Sequence, residues 1–362
     1  FNILLGQGGM LSFGHAVYSG MGAFLAMHTL NRVTGGWPVP VSLIPVVGGL
    51  GSMGLAMLLG WVTTKKAATP FAMITFGLGE LVWATALMFP AFFGGEAGIS
   101  GNRVTGGRAL GVSFGPQIQM YYLIAAYTFV CTALMFAFTL TPLGRVLNAV
   151  RDNPLRAAFL GFNSHVVRYL AFVIAAFFAG VSGGLAALNF EIVTTEVLSA
   201  HRSGAYLLFT LLGGTGFFFG PMIGAVLMVL AFVVLSAYTQ AWLLYLGLVF
   251  VGMVMFAPGG VASLFTQAGQ QARDGVLRQR WPAYVRHVST ALLAFAGASA
   301  LLEMVYHLQH SAALGPQLRL LGVTLDVTRG SHWLAALCVL VTGLGLFVLS
   351  HRHGVRQQSG PA

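Results

Sequence analysis

Runs of about twenty apolar residues follow one another along this chain with only short polar joints between them, and a helix of about that length crosses a hydrocarbon core of about 30 Å. They fall at about 3–30, 41–62, 69–93, 119–141, 169–190, 205–219, 221–238, 241–257, 288–306 and 333–350. In lipid the backbone must satisfy its own hydrogen bonds, which leaves helices or closed barrels. The runs lack the alternation of barrel strands. The expected fold is therefore an all-α polytopic membrane protein of about ten transmembrane helices, some short or broken. Composition agrees, because 57% hydrophobic and 7% charged residues leave too little polar surface for a soluble domain. Cys131 and Cys338 both lie within apolar runs, where they are expected as small buried hydrophobes rather than a disulfide.

The net charge of +10 does not imply nucleic acid, because the cations are scattered among the joints rather than clustered. Their placement reports orientation, since Lys and Arg are retained on the cytoplasmic side. One set of joints carries twelve of them (Lys65, Lys66, Arg145, Arg151, Arg156, Arg168, Arg273, Arg278, Arg280, Arg286, Arg352 and Arg356), and the other carries six (Arg32, Arg103, Arg108, Arg202, Arg319 and Arg329). The first set is expected inside. Residues 205–238 must then enter and return, turning at GGTGFFFGP, although 205–219 also fits a re-entrant half-span. The glycine-rich outer joint 94–107 is a candidate entrance surface.

The joint at 142–168 is the most polar part of the first half. Asp152 and Asn153 are good N-cap types and Pro154 suits the first helical position. Leu155, Arg156, Ala157, Ala158, Phe159 and Leu160 can then propagate a short helix that Gly161 stops. Two readings fit: an amphipathic helix at the lipid surface, or a docking helix for a cytoplasmic partner.

Within the spans, the glycines at 6, 8, 9, 14, 20 and 22 imply either close helix packing or irregular backbone beside a cavity. Ser12 and His15, three residues apart, are expected on one helical face, with Gln7 and Ser19 on neighbouring turns. That pair fits a solute path, an interhelical hydrogen bond or, as a further alternative, an intramembrane serine hydrolase. Glu80 is the clearest acidic residue in a span, where a carboxylate at mid-bilayer costs on the order of 3 kcal/mol, so it should face protein or water. It fits solute transit or a structural hydrogen bond, and Thr75 lies five residues earlier, roughly 140° round the helix. Asn189, Glu191, Glu196, His201 and Arg202 stand at an outer end, where they either meet a delivering protein or are simply solvated.

No catalytic or metal-binding set is expected. Lys65 and Lys66 do not sit in a G-x-x-x-x-G-K-[ST] arrangement, so the chain has no P-loop. It also has no H-E-x-x-H and no Cys/His cluster at metal spacing.

The stretch TPLGRVLNAVRDNPLRAAFLGFNSHVVRYLAFVIAAFFAGVSGGLAAL, residues 141–188, resembles the cytoplasmic loop and following span of branched-chain amino acid type permeases of ABC importers. In the family's order come GQGGMLSFGHAVYSGMGAFLAM (6–27), TPFAMITFGLGELVWA (69–84), GGTGFFFGPMIGA (213–225) and FAPGGVASLF (256–265). The resemblance implies a permease domain at 1–265; outside it, the residues themselves are read as a basic cytoplasmic linker at 266–287 and an extension at 288–362 with two further spans. It also implies an upstream first span missing before Phe1.

By the same resemblance, Arg151 to Gly161 form the element that couples to an ATP-hydrolysing subunit; the polar residues within the spans, Gln7, Ser12, His15, Thr75 and Glu80, are the candidates for the translocation path. The chain departs from the family where Arg156 and Phe159 flank Ala157 and Ala158, positions usually acidic. The implied function is a permease subunit of an importer in the bacterial inner membrane, moving branched-chain amino acids or a related small polar solute. It binds no cofactor itself, and ATP and Mg are used by partner ATPase subunits. The implied partners are a second permease subunit, two cytoplasmic ATP-binding subunits, an extracytoplasmic solute-binding protein and the lipid bilayer. A standalone ion-coupled transporter or channel is the rival reading.

Overall fold

The structure, a computed structural model, describes residues 1–105, 114–239, 241–257, 259–273, 276–310, 317–320 and 323–358. Arg108 therefore lies outside the described residues. The chain is an all-α polytopic membrane protein, with two small two-stranded sheets among the described residues. It divides into two compact units, Phe1–Leu227 with Pro258–Ala262, and Met228–Ala257 with Ser263–Ala362.

The first unit begins with a π-helical turn, Ile3–Gln7, and an irregular stretch leading into α1 (Ala16–Thr34). Then come α2 (Ile44–Thr63), α3 (Ala68–Met88), the short α4 (Pro90–Phe93), β1 (Ile99–Ser100) and α5 (Gln117–Leu140). Two short helices, α6 (Pro142–Asp152) and α7 (Pro154–Phe159), lead to α8 (Ser164–Phe190), followed by β2 (Ile192–Val193), α9 (Ala200–Gly213) and α10 (Gly220–Val229).

Five helices among the described residues are long and apolar enough to cross a membrane, or six if one bent pair counts as a single span. The five are Val41–Thr63, Ala68–Met88, Gln117–Leu140, Ser164–Phe190 and Leu292–Gln309. The other apolar runs are short or broken. The run at 3–30 breaks at residues 8–15, where Gly9 takes φ +61.

Helix α1 is the centre of this unit: thirteen of its nineteen residues are buried. Protein rather than lipid surrounds it, which is why it tolerates Ser19, His28 and Thr29. It packs between α2 and α8 at a glycine crossing, where a methyl group on Gly22 would overlap the Gly180 backbone. The apolar residues form two clusters. One, towards α6 and α7, gathers Phe71, Leu147, Val150 and Phe172, with Tyr18 and Phe172 edge to face at 5.2 Å. The other, towards β1 and β2, gathers Phe24, Met27, Leu30, Ile44 and Leu188. By contrast α5 buries only Met120.

The second unit contains a π-helical turn at Leu230–Leu235, α11 (Ser236–Tyr238), α12 (Trp242–Phe256), most of α13 (Gly260–Arg273), α14 (Val276–His310), the hairpin β3 (Gln317–Leu320) and β4 (Val323–Asp326), and α15 (Gly330–Gln358). Residues 266–287, read from sequence as a joint, are helical on either side of 274–275. Helices α14 and α15 cross closely, since methyl groups on Gly297 and Gly343 would overlap the backbones of Leu340 and Ala294. Glu303 is buried on α14 and accepts hydrogen bonds from the Thr239 hydroxyl and, at 3.1 Å, the Tyr245 hydroxyl.

Both cysteines are free. Cys131 is half-buried and Cys338 exposed, which corrects the expectation that both are buried: Cys131 lies on the gap between α5 and α8, and α15 leaves the face of Cys338 uncovered.

Candidate functional site

The elbow between α5 and α8 is built by side-chain caps. The Thr141 hydroxyl accepts from the Gly144 N–H at 3.2 Å and Pro142 begins α6. Asn153 Oδ1 accepts from the Arg156 N–H at 2.9 Å and Pro154 begins α7. Gly161 leaves the helix at φ +87, and Asn163 Oδ1 caps α8 through the His165 N–H at 3.0 Å. Asp152 ends α6 instead of opening α7, so the cap belongs to Asn153 alone.

On α7, Ala157 turns into the core while Leu155 is 72% and Phe159 90% exposed, with Leu160 beside them at 69%. Arg156 and Ala158 are also exposed. An apolar trio so exposed on a polar elbow is a surface that gains by being covered, since each such side chain contributes about 1.5–3 kcal/mol on full burial.

The elbow is fastened to the broken segment at the start of the chain. Arg151 Nη1 donates to the Gly6 carbonyl at 2.5 Å, and its Nε donates to Asp152 at 3.0 Å. Asn148 Nδ2 donates to Gln7 Oε1 at 3.1 Å. Gly9 leaves room for the Arg151 side chain, which a methyl group there would strike.

Residues 8–15 are not helical, and this corrects the expectation of a polar stripe running from Gln7 through Ser12 and His15 to Ser19. Gln7 belongs with α6, and the Ser19 hydroxyl donates to its own helix at Ala16 O, 3.1 Å away. Ser12 and His15 are both buried, and neither Ser12 Oγ nor either His15 ring nitrogen has a hydrogen-bond partner. The serine–histidine contact that a hydrolase requires is therefore not made.

The non-helical backbone is satisfied from outside instead. The Phe13 N–H donates to Thr75 Oγ1 at 3.2 Å, and the Ala16 N–H to Ser203 Oγ at 2.9 Å. Thr75 thus anchors the break from α3, and Gly14 permits the contact by lying against the Thr75 carbonyl. Glu80, further along α3, is half-buried and makes no hydrogen bond or ion pair with any described residue. The structure thus sets Thr75 against the backbone between Ser12 and His15, and pairs Gln7 with Asn148 on α6 instead.

At the opposite end of α5 and α8 stands a residue the sequence presented only as an outer cation. Arg103 is 7% exposed. Its Nη1 donates to the last-turn carbonyls of α8, Leu188 at 2.9 Å and Asn189 at 3.1 Å. Its Nε donates to the Phe114 carbonyl at 2.8 Å, and its Nη2 to Gln117 Oε1 at 3.0 Å, where α5 begins. Glu191, in the left-handed region at φ +57, accepts from the Arg103 N–H at 3.0 Å. Beside it Ile99 pairs with Val193 across the β1–β2 ladder. No local pattern announces this staple, because its acceptors are backbone carbonyls distant in sequence. Among the described residues no group of three or more His, Cys, Asp or Glu side chains is placed to hold a metal.

Residues 1–258 match the family described as the permease component of branched-chain amino acid transport systems. Two similar proteins are both named high-affinity branched-chain amino acid transport system permease protein LivM. The one from Salmonella typhimurium is 28% identical over 283 residues, covering 72% of this chain and 65% of its own length. The one from Escherichia coli is 26% identical over 283 residues, with the same coverage. The chain thus spans about two thirds of the length of these relatives, 65% in each case. No solved structure matches the chain.

Proposed function

The chain belongs to the branched-chain amino acid transport system permease family, and from that premise we propose that it is the membrane-spanning permease subunit of an ABC importer. Its solute is a branched-chain amino acid or a related small polar molecule. It resides in the bacterial inner membrane and works with a second permease subunit, two cytoplasmic ATP-binding subunits and an extracytoplasmic solute-binding protein. ATP and Mg act on the ATP-binding subunits. Residues 1–265 form the permease domain, 266–287 a basic linker, and 288–362 an extension.

The observation that carries this reading is the elbow at Arg151 to Gly161, with Leu155, Phe159 and Leu160 exposed on its outer side. Those apolar side chains dock into a cleft of an ATP-binding subunit. When two such subunits close, the elbow moves with α5 and α8, because α6 follows α5 at the Thr141 cap and only the short link 160–163, ended by the Asn163 cap, separates α7 from α8. Arg151 and Asn148 carry the movement to Gly6 and Gln7, and thence to the broken segment bearing Ser12 and His15. Thr75, which bonds the Phe13 N–H from α3, and Glu80 on the same helix belong with that segment as candidates to respond to its movement.

The test is reconstitution into vesicles. ATP-driven uptake should require the ATP-binding subunits and should be lost when residues 153–161 are replaced by a Gly/Ser segment of equal length. Solute uptake by this chain alone, driven by an ion gradient, would overturn the proposal in favour of a standalone transporter.

A further inference from the structure

Helices α5 and α8, the pair that the elbow joins, are held together at their ends and part in between. At the far end Gln117 Nε2 donates to Asn189 Oδ1 at 3.0 Å, beside the Arg103 staple. At the elbow end they converge on α6, where Met135 and Phe178 pack against the apolar cluster around Phe172. Between these points lies a cavity of about 330 Å³, lined from Ile124 to Met135 on α5 and from Phe178 to Asn189 on α8. The twelve residues spanned on each helix correspond to a length of about 16 Å along the helix.

The chemistry of the lining is selective. Its polar groups include the hydroxyls of Tyr127, Thr128, Thr132 and Ser182, and no Asp, Glu, Lys, Arg or His is present. Elsewhere in the helices Thr29, Thr64, Thr85 and Thr210 turn their hydroxyls back onto their own backbone. Thr128, Thr132 and Ser182 make no such bond with any described residue, so their hydroxyls are available to a ligand. The Tyr127 hydroxyl donates to the Ser42 carbonyl at 2.5 Å, which leaves its oxygen as an acceptor.

We propose that this cavity is the solute-holding site of the permease, and that it takes a small molecule of no net charge with an apolar body, such as a zwitterionic aliphatic amino acid. A net charge would enter a site without a counter-charge, at high desolvation cost. A zwitterion compensates itself, and hydroxyls both donate and accept, so they serve the carboxylate and the ammonium alike. The apolar walls receive the side chain, in the usual proportion for a small-molecule site. Because the elbow joins α5 and α8, a change in the angle between them reshapes this cavity. The inference rests on the permease reading above.

Cys131 lines the cavity and serves as its reporter. In vesicles holding the complete transporter with Cys338→Ser in this chain, labelling of Cys131 by a small uncharged maleimide should slow several-fold in saturating leucine. Glutamate and lysine should leave it unchanged. Ser182→Trp should abolish ATP-driven leucine uptake while the assembled complex still hydrolyses ATP. Should that variant fail to assemble, the Thr132→Val and Ser182→Ala double variant should raise the KM for leucine by about tenfold with kcat little changed.

Labelling that is indifferent to leucine in vesicles that take leucine up by ATP hydrolysis would overturn the site and leave the permease reading standing. So would protection by all three solutes alike, or a double variant with unaltered KM. Leucine uptake without the ATP-binding subunits would sink the permease reading itself, and the site with it.

Discussion

Arg151 Nη1 and the Gly6 carbonyl lie 2.5 Å apart, joining the polar elbow to the irregular segment from which α1 rises. Gly9 at φ +61 makes room for the arginine stem, so the two ends of the contact are adapted to each other.

Replacing Arg151 with Ala removes that tie without disturbing the caps at Thr141 and Asn153. Uptake should fall several-fold in reconstituted vesicles while ATP hydrolysis by the complex continues. Equal loss of both activities would indicate a failure of assembly rather than of transmission.

Arg103 offers a different kind of test, because its guanidinium is buried and charge-assisted bonds to carbonyls hold it there. Arg103→Ala leaves those acceptors unpaired and should destabilise the protein by on the order of 3 kcal/mol, read as a lower melting temperature in detergent. Arg103→Lys should recover only a small part, since one ammonium cannot span the Leu188, Phe114 and Gln117 acceptors at once.

The crossing of α1 and α8 predicts a contrast between two glycines. Gly22→Ala drives a methyl into the Gly180 backbone and should cost about 1–3 kcal/mol. At Gly54 nothing lies within 4 Å of the added methyl, so Gly54→Ala should be neutral or stabilising by up to about 1 kcal/mol. Thermal unfolding of the two purified variants side by side decides the matter.

Glu80→Gln keeps the shape of a half-buried side chain that has no bond to any described residue, so assembly should be normal. Uptake should nonetheless drop. Unchanged uptake at a normal protein level would remove Glu80 from the route.

The turn at 153–161 was legible because capping is local: Asn153, Pro154 and Gly161 act within one turn of themselves. Ser12 and His15 misled for the same reason in reverse. Their spacing implies one helical face across 8–15, whereas the backbone there is satisfied by Thr75 and Ser203, which lie 62 and 187 residues away from the groups they bond. Arg103 looked like one more outer cation, since nothing in GNRVT reveals which carbonyls will surround it.

Alone, the sequence determined that the chain is helical and crosses a membrane, where its elbow lies and how that elbow is capped, since apolar run length and first-turn hydrogen bonds need no distant neighbour. Only tertiary structure decided that α1 is the buried centre, that Arg151 and Arg103 fasten opposite ends, and that α5 and α8 part around a cavity. Those outcomes depend on which backbones approach closely enough to exclude a side chain, a property of pairs of helices that no single segment carries.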